Sequence, residues 1–485
     1  MNNVLILEET LQAIKSGGYW VDEEAVFLKL SKERLENAIY LSADKVRELC
    51  RCGRQTEKDC FREITFAVLD NTRSQYNYRS FQKYFEDFYQ EEGTRNENED
   101  ILEVQRRKKE REKYRDKIRG SLLGGAAGDA LGYPVEFYSY RRILNCWGEG
   151  GIQEYSPDFE KGLALISDDT QMTLFTANGI LYGETRGCLR GVQASVSTYV
   201  ADAYHEWLLT QTGRKKKEAP HCWLLDIPDM HNCRAPGNTC MGSLLSGRTG
   251  SVEEPLNHSK GCGGVMRVAP LGLHYGPLKN EEARRKLDQE GAQLAAITHG
   301  HPLGYIPAAI LTHMVNLSVY GGCERGSTLE DIVLEAMAAA FEIFGHDSYT
   351  EKMNRLIEAA VRLAGNDKPD IENIRLLGEG WVAEETLAIA VYCSVRYSHD
   401  FSKAIIAAVN HSGDSDSTGA VTGNIVGAWL GYEAIEEKWK KNLELRDILL
   451  EMADDLCYGC QMSEYSTYRD PAWEGKYIYA KYDRG

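Results

Sequence analysis

The sequence has no excess of basic residues and no long apolar stretch. It contains 56 Lys and Arg against 73 Asp and Glu, a formal net charge of −17 with neutral His. Because sequence-independent binding to nucleic acid depends on Lys and Arg contacts with phosphates, this balance argues against a nucleic-acid partner. A membrane-spanning helix needs ~20 mostly apolar residues in a row, and the sequence lacks such a run. We therefore expect no membrane partner either.

The start of the sequence also lacks the basic stretch of a secretory signal. The opening MNNVLILEET carries two Glu residues instead. The 13 Cys residues are scattered over 485 positions, which is typical of free thiols in a reducing compartment. Cys457 and Cys460 form one CxxC pair without a second pair at zinc-ribbon spacing, so we expect thiols there without a metal. These features predict a cytoplasmic protein.

A change of composition divides the chain. Residues 91–117, EEGTRNENEDILEVQRRKKEREKYRDK, are mostly charged or amide side chains and form either a solvated helix or a flexible linker. Before them, AVFLKL and ITFAVLD have the pattern of strands, and LEETLQAIKSG and SFQKYFEDFY have the spacing of helices. We predict a small α+β accessory domain over residues 1–110. Long helical segments predict an all-α domain over residues 113–485.

Two of these helical segments carry glycine at every fourth position. The glycines are Gly120, Gly124, Gly128 and Gly132 in the first segment, and Gly419, Gly423, Gly427 and Gly431 in the second. A glycine inside a helix costs ~1 kcal/mol relative to alanine, so two matching stripes need a packing reason. Faces without side chains let helix backbones approach closely. We therefore predict two central helices, buried by their neighbours, with acidic residues at one end.

Two short clusters of Ser and Asp precede apolar helical segments. They are Ser167, Asp168 and Asp169 in ISDDTQM, and Asp414, Asp416 and Ser417 in HSGDSDSTG. Ser and Asp are common helix caps, and acids in a first turn complement the helix dipole, so one cluster alone favours capping. Adjacent carboxylates repel each other unless a positive charge holds them. Two clusters that pair carboxylates with a hydroxyl match the oxygen donors that Mg²⁺ or Mn²⁺ requires.

Five motifs occur in order between about residue 115 and residue 465. They are GDALGYPVE at 128–136, SDDT at 167–170, GCGGVMRVAP at 261–270, ITHGHPLGY at 297–305 and GDSDSTGAVTGN at 413–424. Together they resemble the ADP-ribosylglycohydrolase family. The resemblance implies an orthogonal bundle of α-helices that binds two magnesium ions. The implied metal ligands are Ser167, Asp168, Asp169, Asp414, Asp416 and Ser417.

The resemblance also implies roles for residues outside the two acidic clusters. Glu136 corresponds to a glutamate on a mobile loop of the family that takes part in catalysis, whereas Asp129 fits an orienting residue better than a ligand. The loop that would hold the diphosphate of the substrate consists of Ser259, Lys260 and Gly261. In this loop Cys262 stands where many members have Asn. His299 corresponds to a histidine near bound ADP-ribose.

These residues predict a magnesium-dependent hydrolase that releases ADP-ribose from an ADP-ribosylated protein side chain or a small ADP-ribose conjugate. The bond at the anomeric carbon breaks through an oxocarbenium-like state, which a carboxylate such as Glu136 would assist. Two alternatives stay open at this point. One is a non-catalytic ADP-ribose-binding or structural protein on the same fold, and the other is a metal-dependent phosphohydrolase that cleaves the diphosphate. The acceptor stays open between arginine, serine and other groups.

Overall fold

The structure is a computed structural model in which the chain divides into two units, Met1–Arg95 and Asn96–Gly485. In the first unit it describes the backbone of three short strands, and in the second it describes residues 97–191, 194–213, 219–321, 326–464 and 466–482. The division lies inside the charged segment 91–117. The domain limits given above, 1–110 and 113–485, stay predictions.

The strands of the first unit form an antiparallel sheet in the order β1-β2-β3. They are β1 (Tyr19–Val21), β2 (Ala25–Leu28) and β3 (Tyr40–Ser42). Phe27 of β2 lies opposite Trp20 on one side and Tyr40 on the other. The strand predicted from AVFLKL is confirmed by β2. The predicted strand ITFAVLD and the predicted helices LEETLQAIKSG and SFQKYFEDFY lie outside the described residues.

Helices make up the second unit, which confirms the mainly α prediction for this part of the chain. In chain order they are α1 (Glu97–Gly132), α2 (Tyr140–Trp147), α3 (Asp168–Arg190), α4 (Val196–Thr212), α5 (Asn238–Leu245), α6 (Ala269–His274), α7 (Glu281–Ala296), α8 (Pro302–Tyr320), α9 (Leu329–Phe344), α10 (Ser348–Ala364), α11 (Asp370–Leu377), α12 (Ala383–Arg396), α13 (Phe401–Val409), α14 (Ser415–Leu430), α15 (Glu437–Lys440), α16 (Arg446–Tyr458) and α17 (Pro471–Tyr477).

Helix α1 contains most of the charged segment, so residues 97–117 are helical and not a flexible linker. The charged half of α1 is tied to α16. Arg115 and Arg119 both bind the carboxylate of Asp454, with N–O distances from 2.6 to 2.9 Å. The second half of the helix, from Gly120 to Gly132, is buried. Helix α1 therefore changes from a charged surface helix to a core helix along its length.

The two glycine stripes pack against each other in the buried half of α1 and in α14, which are the two central helices predicted. Gly431 was expected inside the second helix but caps it instead, with φ of +91° and a Cβ position 2.0 Å from the carboxylate of Asp116. A Cβ atom added at Gly124 would lie 2.6 Å from the carbonyl oxygen of Gly423, so a side chain there would force the backbones apart. The helices are antiparallel, and a Cβ atom at Gly132 would lie 2.3 Å from the carbonyl oxygen of Ser415. This contact places the C-terminal end of α1 beside the N-terminal end of α14.

Helices α3 and α8 complete the centre of the unit. Both contact α14 and α1. Residues 168–183 of α3 are all buried, and so are residues 303–319 of α8 except Tyr305. A helix buried on all sides belongs to the middle of a core. Among the residues that the structure describes, no helix has both the length and the apolar character needed to span a membrane.

Candidate functional site

The N-terminal end of α14 carries one of the two acidic clusters into the protein. Asp414 is the N-cap of the helix, and its carboxylate accepts a hydrogen bond from the backbone N–H of Ser417 at 3.2 Å. Asp416 in the first turn accepts from the same N–H at 3.0 Å. All three side chains are at most 3% exposed. Contact between the glycine stripes therefore places two buried carboxylates and a hydroxyl beside the end of α1.

The N-terminal end of α3 brings the other cluster to the same place. Ser167 is the N-cap of α3, and its hydroxyl accepts a hydrogen bond from the backbone N–H of Asp169. Asp168 accepts from the backbone N–H of Gly237 at 3.1 Å. Burial raises the pKa of Asp416, and a hydrogen bond from Ser167 is among the contacts that oppose this rise. The structure thus brings the two predicted clusters together.

Asp129, near the end of α1, holds the start of α3. Its carboxylate accepts hydrogen bonds from the backbone N–H of Ser167 at 3.0 Å and from that of Thr170 at 3.1 Å, and also from the Thr170 hydroxyl. These donors flank Asp168 and Asp169 on both sides. Asp129 therefore orients the turn that carries both carboxylates. Burial, and then the charge of Asp416, raise the pKa of Asp129 to about 7.

We call the six side chains predicted as metal ligands the acid cluster. They are Ser167, Asp168, Asp169, Asp414, Asp416 and Ser417. Burial is the largest cause that raises the pKa of Asp168, Asp169 and Asp414 well above the usual range, and the charge of Asp416 raises each further. Within the described part of the chain none of the four carboxylates forms a salt bridge. Each helix N-terminus supplies only about half a positive charge.

The acid cluster fits a hard divalent cation. Its donors are all oxygen atoms, and Oδ2 of Asp169 is buried without a hydrogen-bond partner. Among the described residues, no group of three or more His, Cys, Asp or Glu side chains could by itself hold a metal ion. In proteins Mg²⁺ keeps several waters and takes one or two carboxylates. A cation between the two helix ends would offset the repulsion that raises the carboxylate pKa values.

Glu136 lies at the edge of the acid cluster. It follows a short 3₁₀ turn, Tyr133–Val135, at the end of α1, and its backbone N–H donates to the carbonyl oxygen of Gly132 at 3.0 Å. Its Oε2 is buried without a hydrogen-bond partner. Burial, followed by the charges of Asp416 and Asp414, raises the pKa of Glu136 to about 10. Burial and the neighbouring carboxylates therefore favour the protonated form of Glu136.

The predicted diphosphate loop, residues 259–264, packs on His299. Added Cβ atoms at Gly261 and Gly263 would lie 3.3 Å and 3.0 Å from the imidazole ring. His299 is 1% exposed, and its Nδ1 pairs with the Thr298 hydroxyl at 2.8 Å. Burial, and then the charge of Arg267, lower the pKa of His299 to about 3. His299 thus supports the loop as a neutral side chain, and its contact with a substrate stays a prediction.

Other side chains of the loop face the acid cluster and a separate ion pair. Burial, and then the charges of Asp414 and Asp169, raise the pKa of the Cys262 thiol well above its usual value. Lys260 instead pairs with the buried carboxylate of Glu384, and Lys352 contacts the same oxygen. The loop therefore connects the acid cluster with a positively charged edge.

A cavity of about 340 Å³ opens beside this loop. It is lined by Asn238, Thr239, Gly242, Ser243, Ser246, Arg248, Leu256, Asn257 and Ser259. The hydroxyl groups of Thr239 and Ser259 in this lining form a hydrogen bond at 3.1 Å. Asn238 of the lining follows Gly237, whose N–H donates to Asp168 of the acid cluster. A volume of this size suits part of a small-molecule ligand.

Residues 378–383, which we call the brace segment, connect the two loops of the site, although no motif marks them. The backbone carbonyl oxygen of Glu379 accepts a hydrogen bond from the backbone N–H of Asp414 at 2.9 Å. Further along, the N–H of Ala383 donates to the carbonyl oxygen of Lys260 at 2.8 Å. The brace segment therefore sets the spacing between the acid cluster and the diphosphate loop. Its partners are distant in sequence, so local patterns do not reveal it.

Glu444 is a second residue of the site that no motif marks. Its buried carboxylate binds Arg234 at 2.9 Å and Lys161 at 3.2 Å, and it accepts the backbone N–H of Ile166 at 3.2 Å. The carbonyl oxygen of Arg234 accepts the N–H of Asp168 at 3.1 Å. Glu444 thus fixes the chain that leads into α3. A buried Glu of this kind has no local sequence signature.

The family model described as ADP-ribosylglycohydrolase matches residues 110–465 of the chain. The chain belongs to the ADP-ribosylglycohydrolase family. All five motifs, the acid cluster, Glu136 and the diphosphate loop lie within the ADP-ribosylglycohydrolase match. The match begins inside α1 and ends after α16, so it leaves the first unit outside.

Three relatives illustrate the range of similarity within the ADP-ribosylglycohydrolase family. ADP-ribosylhydrolase ARH3 of Bos taurus is 26% identical over 229 residues, which are 41% of this chain and 60% of the relative. ADP-ribosyl-(dinitrogen reductase) glycohydrolase of Rhodospirillum rubrum is 25% identical over 327 residues, 65% of this chain and 86% of the relative. An uncharacterized protein of Archaeoglobus fulgidus is 28% identical over 331 residues, 67% and 91% of the two chains. The chain spans about 60% of the length of the bovine ARH3 relative.

A solved structure of an ADP-ribosylglycohydrolase-related protein complex has the same fold. It matches with a TM-score of 0.51 at 24% sequence identity, and the match covers 72% of this chain and 100% of that chain. This likeness confirms the predicted helical bundle of the ADP-ribosylglycohydrolase type for the second unit.

Proposed function

We propose that the protein is a magnesium-dependent hydrolase that releases ADP-ribose from an ADP-ribosylated protein side chain or a related small conjugate. The observation that carries the proposal is the acid cluster. It gathers four buried carboxylates at two helix ends without a salt-bridge partner among the described residues, in a chain of the ADP-ribosylglycohydrolase family. The names of the relatives support ADP-ribosylated groups as substrates. We keep the cytoplasm as the proposed location.

Two Mg²⁺ ions, or Mn²⁺ ions, are the proposed cofactors, and the acid cluster would hold them. When bound, such ions bind ribose hydroxyls, orient a water molecule and offset developing negative charge. The carboxylates of the cluster position the ions and are not the acid or base of the reaction. Asp129 keeps its hydrogen bonds to the start of α3 throughout, which holds Asp168 and Asp169 in place.

Glu136 is the proposed catalytic residue. Cleavage at the anomeric carbon leaves positive charge on the ribose ring and negative charge on the departing atom. In the proposed step the protonated Glu136 carboxyl, the form that burial favours, donates its proton to the departing atom. The carboxylate that results stabilises the positively charged ring and takes a proton from the water that adds to the anomeric carbon, which restores the starting carboxyl. Both effects act in the transition state and not in the substrate complex.

The diphosphate loop and the cavity beside it are the proposed binding site for the rest of ADP-ribose. Ser259 lines the cavity, and Lys260 and Gly261 follow it in the chain with backbone groups and one ammonium group. The Lys260 ammonium, held by Glu384, attracts the anionic diphosphate. The polar lining of the cavity offers hydrogen bonds to the adenosine half. This arrangement leaves the bond to the acceptor beside Glu136 and the acid cluster.

The decisive experiment is product analysis with a panel of ADP-ribosylated peptides and small conjugates, including arginine and serine linkages. The protein is incubated with each conjugate in Mg²⁺ and, as a control, in chelator. Release of intact ADP-ribose in Mg²⁺ alone supports the proposal. AMP with ribose 5-phosphate as products would instead identify a phosphohydrolase. ADP-ribose binding without any cleavage would identify a binding protein.

A further inference from the structure

The turn that carries Glu136 has an unfavourable backbone at its next residue. Phe137 has φ of +63°, in the left-handed region that residues with a side chain rarely adopt. Phe137 is 68% exposed, so burial does not explain this conformation. A strained position of this kind persists only where neighbouring contacts hold it. A contact with another part of the chain is therefore expected to hold Phe137.

The contact is an aromatic stack with Trp381 of the brace segment. The ring centroids of Phe137 and Trp381 lie 5.2 Å apart, and their planes are inclined by 22°. Aromatic pairs at this separation attract each other beyond simple burial. Trp381 is 37% exposed, so the stack lies at the surface above the site. It joins the turn after α1 to a segment from a different part of the chain.

Trp381 is the firmly held partner of the two. The carbonyl oxygen of Trp381 accepts the backbone N–H of Cys262 at 3.3 Å, and its neighbour Val382 pairs with Gly261 as an antiparallel bridge. On the other side, the carboxylate of Glu385 accepts the N–H of Gly380 at 3.3 Å. The brace segment is thus anchored on both sides of Trp381. Around Phe137 the backbone bonds of Glu136 to Gly132 and of Tyr138 to Val135 stay within the turn, and the stack joins this turn to the brace segment.

We propose that the Phe137–Trp381 stack positions Glu136 over the acid cluster, so that Phe137 and Trp381 are positioning residues for hydrolysis. The proposal rests on the proposed function of Glu136. Without the stack, the turn would relax from its left-handed conformation and the Glu136 carboxyl would leave the site for part of the time. Substrate binding, which uses the diphosphate loop and the cavity, would persist. The stack therefore affects turnover more than affinity.

The test compares full-length Trp381→Ala, Trp381→Phe and Phe137→Leu with the wild type. We expect Trp381→Ala and Phe137→Leu to lower kcat by about tenfold with KM changed less than about twofold, since loss of one aromatic stack is an effect of this order. Trp381→Phe keeps the stack and should restore most of the turnover. Phe159→Leu is the matched control, because Phe159 is a fully exposed aromatic residue in another loop.

Hydrogen–deuterium exchange gives a second readout that does not need activity. The N–H of Glu136 is bonded to Gly132 and that of Tyr138 to Val135, and both amides should exchange faster in Trp381→Ala. Unchanged exchange at these amides in both stack variants, or equal turnover in Trp381→Ala and wild type, overturns the proposal. A wild type that releases no ADP-ribose defeats the proposed function instead, and faster exchange in the variants would then still establish the stack as the contact that holds the turn.

Discussion

At the scale of single residues, Asp416 is the carboxylate whose charge raises the pKa of all its neighbours in the acid cluster. The Asp416→Asn variant keeps the shape of the side chain but loses its charge. Activity should fall by more than ~100-fold, since changes to residues that only orient metal ligands already cost ~10- to 100-fold. Steady-state kinetics and metal analysis at equilibrium measure both effects. Asp447→Asn is the matched control, because Asp447 is 86% exposed.

The effect of Asp416→Asn on stability should have opposite signs with and without Mg²⁺. In chelator, Asp416→Asn removes a charge from a buried group of like charges, so it should unfold at a higher temperature than the wild type. In Mg²⁺ at ~100 times its dissociation constant, the wild type should gain ~2.7 kcal/mol and the variant much less. Equal gains in the two proteins would show that Asp416 does not bind the cation.

Glu136→Gln tests the proposed catalytic proton at the same scale. The amide keeps the size of the side chain but neither gives up a proton nor becomes negative. We expect kcat to fall by ~100-fold or more, within the range of general acid catalysis, while the affinity for ADP-ribose changes little. Kinetics and calorimetric titration with ADP-ribose measure the two quantities. Glu160→Gln in an exposed loop is the control. If Glu136→Gln lost turnover and affinity to a similar degree, the assignment of Glu136 would be contradicted.

At the scale of helices, close contact between α1 and α14 decides whether the acid cluster forms. A Cβ atom at Gly423 would lie 1.9 Å from the carbonyl oxygen of Gly124, a distance that rigid backbones cannot relieve. Gly423→Ala should therefore destabilise the protein by about 3 kcal/mol or more and weaken Mg²⁺ binding. Denaturant unfolding and metal titration measure these changes. Gly475→Ala is the control, since its Cβ would find nothing closer than 4.0 Å.

A partly buried ion pair between α3 and α6 predicts a pH dependence of stability. His274 Nε2 lies 3.4 Å from the carboxylate of Glu184, and His274 Nδ1 donates to the carbonyl oxygen of Leu456 on α16. Burial opposes the charged form, but Glu184 holds the pKa of His274 above its usual value. A raised histidine pKa stabilises the fold below the unfolded value of ~6.5, and the stabilisation is lost as pH rises through the folded value.

His274→Gln should therefore be destabilised relative to wild type mainly in acid. We expect the difference in unfolding free energy between the two proteins to be largest between pH ~5 and pH ~6.5 and to shrink at higher pH. Denaturant titrations of both proteins at several pH values give this difference. A difference that is constant over the whole range would show that His274 is neutral in the folded protein.

At the scale of the whole molecule, the first unit is predicted to be dispensable for the chemistry. A chain that begins at Asn96 keeps all of α1 and should bind Mg²⁺ and cleave small conjugates like the full protein. A chain that begins at Glu112 loses the contacts of Asp100 with Thr467 and of Arg111 with Cys457, and should melt at a lower temperature. Thermal unfolding and turnover compare the two. A folded, inactive Asn96 chain that still binds Mg²⁺ would assign part of the site to the first unit.

Local patterns predicted much of the second unit because its decisive signals are local. The two glycine stripes identified the central helix pair, and the Ser and Asp clusters identified the helix ends that form the site. Outside this pair, local patterns predicted helices but not which helices pack against each other. Helix α7 has a buried side against α8 that only the folded neighbours define.

The sequence by itself determined which residues have the chemistry for this site: the oxygen donors, the glutamate after α1 and the glycine-rich loop. Only the tertiary structure decided how they are arranged. The antiparallel contact of α1 with α14 brings Asp416 beside Glu136, and the brace segment connects Asp414 with Lys260. These contacts join residues far apart in the chain, and their strength depends on burial. Burial of a carboxylate is a property of its neighbours, which no local spacing encodes.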